Sequence, residues 1–150
     1  MEEKLKEISL FSNDFVVIKT VASTEQKENF LVLCLKVLVR FSGRPKNKEM
    51  NDYLNHIGKI YRFEIPFIII YDASDIGMLS LAEVTQQADF MRIKDLDTRR
   101  LIKACAIVLT NQIAKGLLNT LFTFKQPACP YKVVSSMNEA HCFLKSPKMA

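Results

Sequence analysis

The chain has 150 residues, of which 49% are hydrophobic and 25% charged, and its formal net charge is +5. These proportions are ordinary for a folded domain, and the 4 glycines and 5 prolines are too few for a linker-rich or low-complexity chain. The length predicts a single domain over residues 1–150, with a core at about 14–145 and terminal extensions at 1–13 and 146–150.

The positive charge is dispersed and does not indicate a nucleic-acid partner. Neither a zinc-ligand spacing nor a helix-turn-helix pattern is present. A cluster of basic residues could meet an anionic surface, but a solvated loop followed by a helix start is the favoured interpretation. The cluster consists of Arg40, Arg44, Lys46 and Lys48.

The cysteines and the N-terminus predict a cytoplasmic protein. Cys34, Cys105, Cys129 and Cys142 show no CxxC spacing, and two of them fall in apolar runs where a free cysteine behaves as a small hydrophobe. The first residues, MEEKLKEISLF, lack the apolar stretch of a secretory signal. The apolar runs are also far shorter than the roughly 20 residues that a membrane span needs. We therefore expect no required disulfide and no transmembrane segment.

Two strands and a helix are predicted in the first part of the chain. The FVVIK segment within Asp14–Val21 is typical of a short strand, and the Val- and Leu-rich run Phe30–Phe41 is typical of a second. The periodicity of that run would also suit a buried helix, but the Ser-Gly-Arg-Pro sequence after it favours a strand that ends in a loop. Pro45 suits the first turn of a helix, which ends near Arg62.

The most informative segment is the run Phe67–Tyr71, a continuous apolar and aromatic stretch followed by Asp-Ala-Ser-Asp. Such a run predicts a strand that is buried on both faces of a sheet covered by helices. Ligands and partners of these folds often lie at the carboxyl ends of the strands. We therefore predict a partner or ligand loop formed by Asp72, Ser74, Asp75 and Ser80.

Capping signals predict the remaining helices. Ser80 and Glu83 form a capping box that begins a helix with an apolar stripe, running to about Asp95 and continuing after a break near Asp97-Thr98. Asn111 caps the following helix. The apolar stripe of the helix that begins at Ser80 consists of Leu81, Val84, Ala88 and Met91. The other predicted elements are a buried strand at Ala104–Leu109, a short strand at Tyr131–Val134, and a last helix that begins with a second capping box at Ser136.

The predicted order is β-β-α-β-α-β-α-β-α. Alternating strands and helices indicate an α/β fold with right-handed crossovers. The sheet is therefore predicted to be mixed and mainly parallel, with four to five strands and about four helices. The leading pair of strands adds an antiparallel edge.

Three segments carry a family resemblance: FIIIYDAS at 67–74, KACAIVLTN at 103–111 and PYKVVSSMNEAHCFL at 130–144. They resemble the STAS domain, the fold of the sporulation anti-anti-sigma factors. The match is closer to the SpoIIAA-like branch, which is also similar to CRAL-TRIO lipid-binding domains in its carboxyl half. The resemblance covers roughly residues 14–145 and implies a protein-binding role, with lipid binding as an alternative.

The phosphorylation switch of the family is not expected in this chain. Sigma-regulating STAS proteins resemble one another in an Asp-Ser-Ser-Gly turn whose serine is phosphorylated by a partner kinase. If Asp72 is aligned with the aspartate that ends the family's strand, Leu81 falls at the position of that serine. Ser80 is nearby, but its role as a helix cap explains it without phosphorylation.

No residue pattern predicts catalysis, a metal or another cofactor. A cysteine nucleophile is not indicated: Cys129 lies in a predicted loop, and His141 adjoins Cys142, but neighbours on a helix point about 100° apart. The Asp-Ala-Ser-Asp segment lacks the further carboxylates of a calcium site, so turn chemistry is the favoured interpretation.

The helix at Ile113–Phe124 has an apolar face that is wider than one contact with a sheet needs. Core packing is the favoured interpretation, and a partner surface or an apolar pocket is the alternative. The residues of this alternative are Leu117, Leu118, Leu121 and Phe122.

These observations predict a non-catalytic STAS-like module that regulates or binds a protein partner through the Asp72–Ser80 segment and the helix after it. The first alternative is the binding of a lipid or another apolar small molecule. The second alternative, an enzyme, has no recognisable motif. A homodimer would satisfy either an exposed edge strand or the wide helix face.

Overall fold

The computed structural model describes residues 6–27, 30–46 and 48–145. The predicted terminal extensions at 1–5 and 146–150 lie outside the described residues, and so does the side chain of Cys34. Along the chain the elements are β1 (Lys6–Ser12), β2 (Val16–Lys27), β3 (Phe30–Gly43), α1 (Glu49–Tyr61), β4 (Phe67–Ile76), α2 (Leu81–Ile93), α3 (Asp95–Leu101), β5 (Ile102–Val108), α4 (Gln112–Phe124), β6 (Tyr131–Val134) and α5 (Met137–Lys145).

The strands form one six-stranded sheet in the order β1-β2-β3-β4-β5-β6. Strands β1, β2 and β3 pair in an antiparallel manner, whereas β3, β4, β5 and β6 pair in parallel. The predicted α/β class, with an antiparallel edge on a parallel sheet, is confirmed. The predicted strand and helix counts were too low, because the described residues contain six strands and five helices. With two of the five strand pairs antiparallel, the sheet is also less parallel than expected.

Strand β1 accounts for most of this difference. Residues 6–12, predicted as part of a terminal extension, pair with β2 from Lys6 opposite Ala22 to Ser12 opposite Val17. The strand has a register shift between Ser9 and Phe11, and its side chains are largely exposed. An edge strand of this kind lacks the continuous apolar run that reveals a buried strand.

Further boundaries differ from the predicted ones: β2 runs to Lys27 rather than ending at Val21, and α1 begins at Glu49 rather than at Pro45. Strand β4 continues five residues past Tyr71 to Ile76, so the predicted Asp72–Ser80 loop begins as strand. The break after α2 falls at Lys94 rather than near Asp97-Thr98. Lys94 has a φ of -94 and a ψ of 12, and it ends α2 and begins α3.

Helices cover the two faces of the sheet unequally. On one face α1, α2 and α4 pack over the sheet, and β4 contributes Phe67, Ile69 and Ala73 to this larger core. On the other face β4 contributes Ile68 and Ile70, which pack beneath α5. The alternation confirms that β4 is covered on both faces, as its continuous apolar run predicts.

Two glycines bring the carboxyl ends of β3 and β4 together. The Gly77 amide donates to the carbonyl oxygen of Gly43 over 2.7 Å. Gly43 has a φ of 67, in the left-handed region that favours glycine. A Cβ atom on Gly77 would lie 2.8 Å from Cγ of Arg44 and 3.0 Å from the carbonyl carbon of Gly43. The close approach therefore requires a glycine at position 77.

We expect the Gly77→Ala substitution to lower the free energy of unfolding by about 1–3 kcal/mol, because the added methyl group forces the two strand ends apart. Gly116→Ala in α4 is the matched control: a Cβ there meets no heavy atom within 4 Å, and the change should raise stability by about 0.8–1 kcal/mol. Urea denaturation of both variants measures the difference. Equal stability of Gly77→Ala and the unaltered protein would contradict the steric argument.

Candidate functional site

Asp72 supports the end of β4 rather than standing free in a loop. Its Oδ1 accepts from the Ser74 amide over 3.1 Å, and its Oδ2 lies 3.4 Å from Nε of Arg40 on β3. The Asp72 side chain is only 14% exposed, and residues 40 and 72 are opposite each other in the parallel ladder. These contacts of the Asp72 carboxylate stabilise β4 beyond Tyr71, although Asp-Ala-Ser-Asp is a sequence typical of turns.

Ser74 is fixed by the next helix along the sheet. Asn111 donates from its Nδ2 to the Ser74 carbonyl oxygen over 2.9 Å, and its Oδ1 accepts from the Ala114 amide over 2.8 Å. One side chain thus caps α4, as predicted, and ties the amino end of that helix to β4.

Ser80 caps α2 as the sequence predicts. Its hydroxyl accepts from the Glu83 amide over 3.1 Å, and the Glu83 carboxylate accepts from the Ser80 amide over 2.8 Å. The side chains of Ser80 and Glu83 therefore both satisfy backbone amides at the start of α2.

Asp75 differs from these three residues because its carboxylate is exposed and makes no side-chain hydrogen bond or ion pair within the described part of the chain. Apolar side chains at the starts of α2 and α4 are exposed at the same edge of the sheet: Met78 by 51%, Leu81 by 65% and Ile113 by 48%. We call Asp75, Met78, Leu81 and Ile113 the edge surface.

Sequence reasoning missed most of the edge surface. Leu81 was assigned to the apolar stripe of α2, but only Val84 and Ala88 of that helix are buried. Leu81 is the first residue of α2, so it lies at the rim of the sheet rather than over it. The capping box was the available signal, since it fixes the first helical turn and hence the residue at the rim.

A cavity of about 150 Å³ lies between the sheet and helices α1, α2 and α4. We call it the interlayer cavity. Most of its lining residues on the sheet are buried, whereas most of those on α2 and α4 are half-buried, so the cavity opens between these two helices. The four residues predicted as an apolar surface or pocket all lie along its α4 wall: Leu117, Leu118, Leu121 and Phe122.

Hydroxyl and thiol groups interrupt the apolar lining. Tyr53 donates its hydroxyl to Oε1 of Gln87 over 2.9 Å, and the Tyr61 hydroxyl lies 2.9 Å from Oγ1 of Thr98. Burial raises the pKa of Tyr61 to about 12 and the pKa of the Cys129 thiol to about 11. The lining contains no Asp, Glu, Lys, Arg or His. These groups are therefore neutral at physiological pH.

Polar contacts fix both ends of α4. Beyond the Asn111 contact at its amino end, Arg92 of α2 donates to the carbonyl oxygen of Phe124 over 3.0 Å. Lys125 follows α4, and its Nζ lies 2.7 Å from Oδ1 of Asp95 in α3. The helix is thus held at its ends while its middle borders the cavity.

The two histidines lie on opposite sides of the sheet. His56 of α1 stacks on Phe11 with ring centroids 3.9 Å apart, and Nδ1 of His141 in α5 lies 3.3 Å from Nζ of Lys36. Burial is the main cause that lowers the pKa of each imidazole, and a nearby lysine is the second.

Within residues 6–27, 30–46 and 48–145, no three His, Cys, Asp or Glu side chains gather in a way that could hold a metal ion. In the same ranges no helix has the length and apolar character needed to cross a membrane.

Comparisons with known proteins identify the fold. Residues 78–148 match the profile of a domain of unknown function, DUF7793, a span of less than half the chain. No curated protein matches. The chain is similar to the crystal structure of an anti-sigma factor antagonist from Mycobacterium paratuberculosis, with a TM-score of 0.54, 11% identity, and coverage of 85% of this chain and 95% of that chain.

A second solved structure is an uncharacterized protein of the DUF3478 family with a SpoIIAA-like fold, from Shewanella loihica PV-4. Its TM-score is 0.49 at 14% identity, and the alignment covers 89% of this chain and 98% of that chain. The likeness to the anti-sigma factor antagonist confirms the predicted STAS/SpoIIAA-like fold.

The raised tyrosine pKa values predict a loss of stability in alkali. An exposed tyrosine in the unfolded chain ionises at a pKa of about 10, whereas Tyr61 in the folded protein ionises at about 12. Between these values the unfolded state binds fewer protons, so Tyr61 alone lowers the free energy of unfolding by up to about 1.4 kcal/mol per pH unit.

Urea denaturation at pH 9, 10 and 11 measures this slope. In the Tyr61→Phe variant the slope should be shallower, because the phenol that resists ionisation is gone. An identical pH dependence in the two proteins would contradict the assignment to Tyr61.

Proposed function

We propose that this chain is a non-catalytic, single-domain regulatory module that binds a protein partner through the edge surface. The observation that carries the proposal is the exposure of Met78, Leu81 and Ile113 at the edge of the sheet where β4 carries the exposed carboxylate of Asp75. Large apolar side chains left exposed at one edge of a fold, with polar residues at their border, are typical of protein interaction sites. The name of the structural neighbour, an anti-sigma factor antagonist, denotes action on another protein and supports the same kind of role.

The residues of the edge have different parts in this proposal. Asp72 and Ser80 keep the strand end and the helix start in place, since their side chains are already hydrogen-bonded. Leu81 and Asp75 are free to contact the partner. The partner surface is therefore expected to offer an apolar patch with a basic side chain at its border. Its recognition needs no phosphorylated serine, which agrees with the absence of the Asp-Ser-Ser-Gly turn.

The size of the interlayer cavity limits the alternative of lipid binding that the sequence suggested. Its volume of about 150 Å³ is below the roughly 300–1,000 Å³ of typical ligand pockets, so we do not extend the proposal to a membrane lipid.

A cytoplasmic location remains part of the proposal. It is supported by Cys105, Cys129 and Cys142, which are free thiols. Free cysteines are typical of proteins kept in a reducing compartment.

Site-specific photo-crosslinking tests the edge surface. A benzophenone amino acid replaces Leu81 in one protein and Leu96 of α3 in the matched control; both leucines are exposed, by 65% and 79%. In cells we expect a protein to be captured at position 81 and not at position 96. Adding Asp75→Asn to the first protein should lower capture at least about fivefold, which corresponds to about 1 kcal/mol.

The melting temperature of the Asp75→Asn variant serves as the control for folding and should not change, because the carboxylate has no intramolecular partner. Equal capture at both positions, or capture that Asp75→Asn leaves intact, would remove the proposal. If the Asp75→Asn variant failed to fold, Asp75 would be needed for the stability of the fold rather than for binding. Crosslinking to a second copy of the chain would show that the edge surface forms a homodimer and does not bind a different protein.

A further inference from the structure

The interlayer cavity reaches the centre of the sheet. Tyr71 lies on β4, between β3 and β5, yet its side chain is only half-buried. The same side chain lines the cavity, which explains how solvent reaches it. Protein interiors are close-packed, and voids much larger than a water molecule are few. A cavity that opens onto the central strand is therefore a feature to be explained.

The fixed ends of α4 explain why the helix does not close the cavity by settling onto the sheet. Asn111 holds the amino end to the carbonyl of Ser74, and Lys125 holds the other end to Asp95. Between these points Leu117, Leu118 and Leu121 line the open space. The cavity is consequently preformed, as small-molecule sites usually are.

The size and polarity of the lining limit what can enter. A cavity of about 150 Å³ lined by apolar side chains accommodates a ring the size of benzene. No charged side chain lines it, so a buried carboxylate, phosphate or ammonium group would have no opposite charge. The occupant must be uncharged.

Gln87 supplies a polar contact at the α2 wall. Its Oε1 accepts from the Tyr53 hydroxyl, and the hydroxyl of Tyr71 also reaches that of Tyr53. The amide nitrogen of Gln87 makes no hydrogen bond to any other residue that the structure describes. It can therefore donate to an oxygen atom of a molecule in the cavity.

We propose that the interlayer cavity binds a small, uncharged molecule of about one aromatic ring that carries a hydroxyl or carbonyl oxygen, with Gln87 as the hydrogen-bond donor and the leucines of α4 as the apolar wall. This site is separate from the edge surface, and it does not depend on the identity of any protein partner.

Three probes that share one ring test this proposal: p-cresol, toluene and 4-methylbenzoate. Titrations of the purified protein are followed by NMR of the methyl groups of Leu118, Leu121 and Ile107. We expect saturable shifts with p-cresol and toluene, and binding of 4-methylbenzoate at least about tenfold weaker because its charge has no partner. An absence of saturable binding by both uncharged probes, or equal binding of the benzoate, would overturn the proposal.

Two variants assign the binding to named residues. Gln87→Leu should weaken p-cresol binding about fivefold and leave toluene binding unchanged, since it removes one hydrogen bond and keeps the apolar wall. Leu121→Trp should abolish binding of both probes by filling the cavity, whereas the same change at the exposed Leu96 should have no effect. Unchanged p-cresol affinity in Gln87→Leu, or unchanged affinity in a folded Leu121→Trp protein, would refute the assignment. The Gln87→Leu result stands even if the tryptophan variant does not fold.

Discussion

The fold depends on the burial of β4 between several helices on one face of the sheet and α5 on the other. Its parallel pairing with β3 and β5 places alternate side chains in the larger core beneath α1, α2 and α4 and in the smaller core beneath α5. The same strand provides Tyr71 to the interlayer cavity and ends beside the edge surface. Both candidate sites are therefore built on one rigid element, so their positions are linked even though their chemistry is different.

Local signals were sufficient for the elements that are buried or capped. The continuous run at Phe67–Tyr71 predicted β4, and the side-chain caps at Ser80 and Asn111 predicted the starts of α2 and α4. Strand β1 was not predictable in this way, because its exposed side chains interrupt the apolar pattern. The extension of β4 to Ile76 was missed because Asp72 is a turn former by itself, and only the contact with Arg40 on the neighbouring strand makes it a strand residue.

The candidate sites were predictable to different degrees. Periodicity on one helix was enough to group Leu117, Leu118, Leu121 and Phe122, which the structure brings to one wall of the cavity. The opposite wall, including Tyr53 and Gln87, comes from other helices, and no pattern within a single segment relates them. Met78 and Ile113 were missed for the same reason, since their proximity to the sheet edge follows from the topology.

The unequal covering of the sheet determines where the molecule opens first. Among the described residues only α5 covers the second face, over β4, β5 and β6, while the half-buried Val17 and Val21 of β2 lie outside the cores on that side. Backbone amides of β1 and β2 are consequently expected to exchange with solvent through local opening, and those of β4 and β5 only through global unfolding. Motion at the antiparallel edge is thus separated from the rigid half of the sheet that holds both candidate sites.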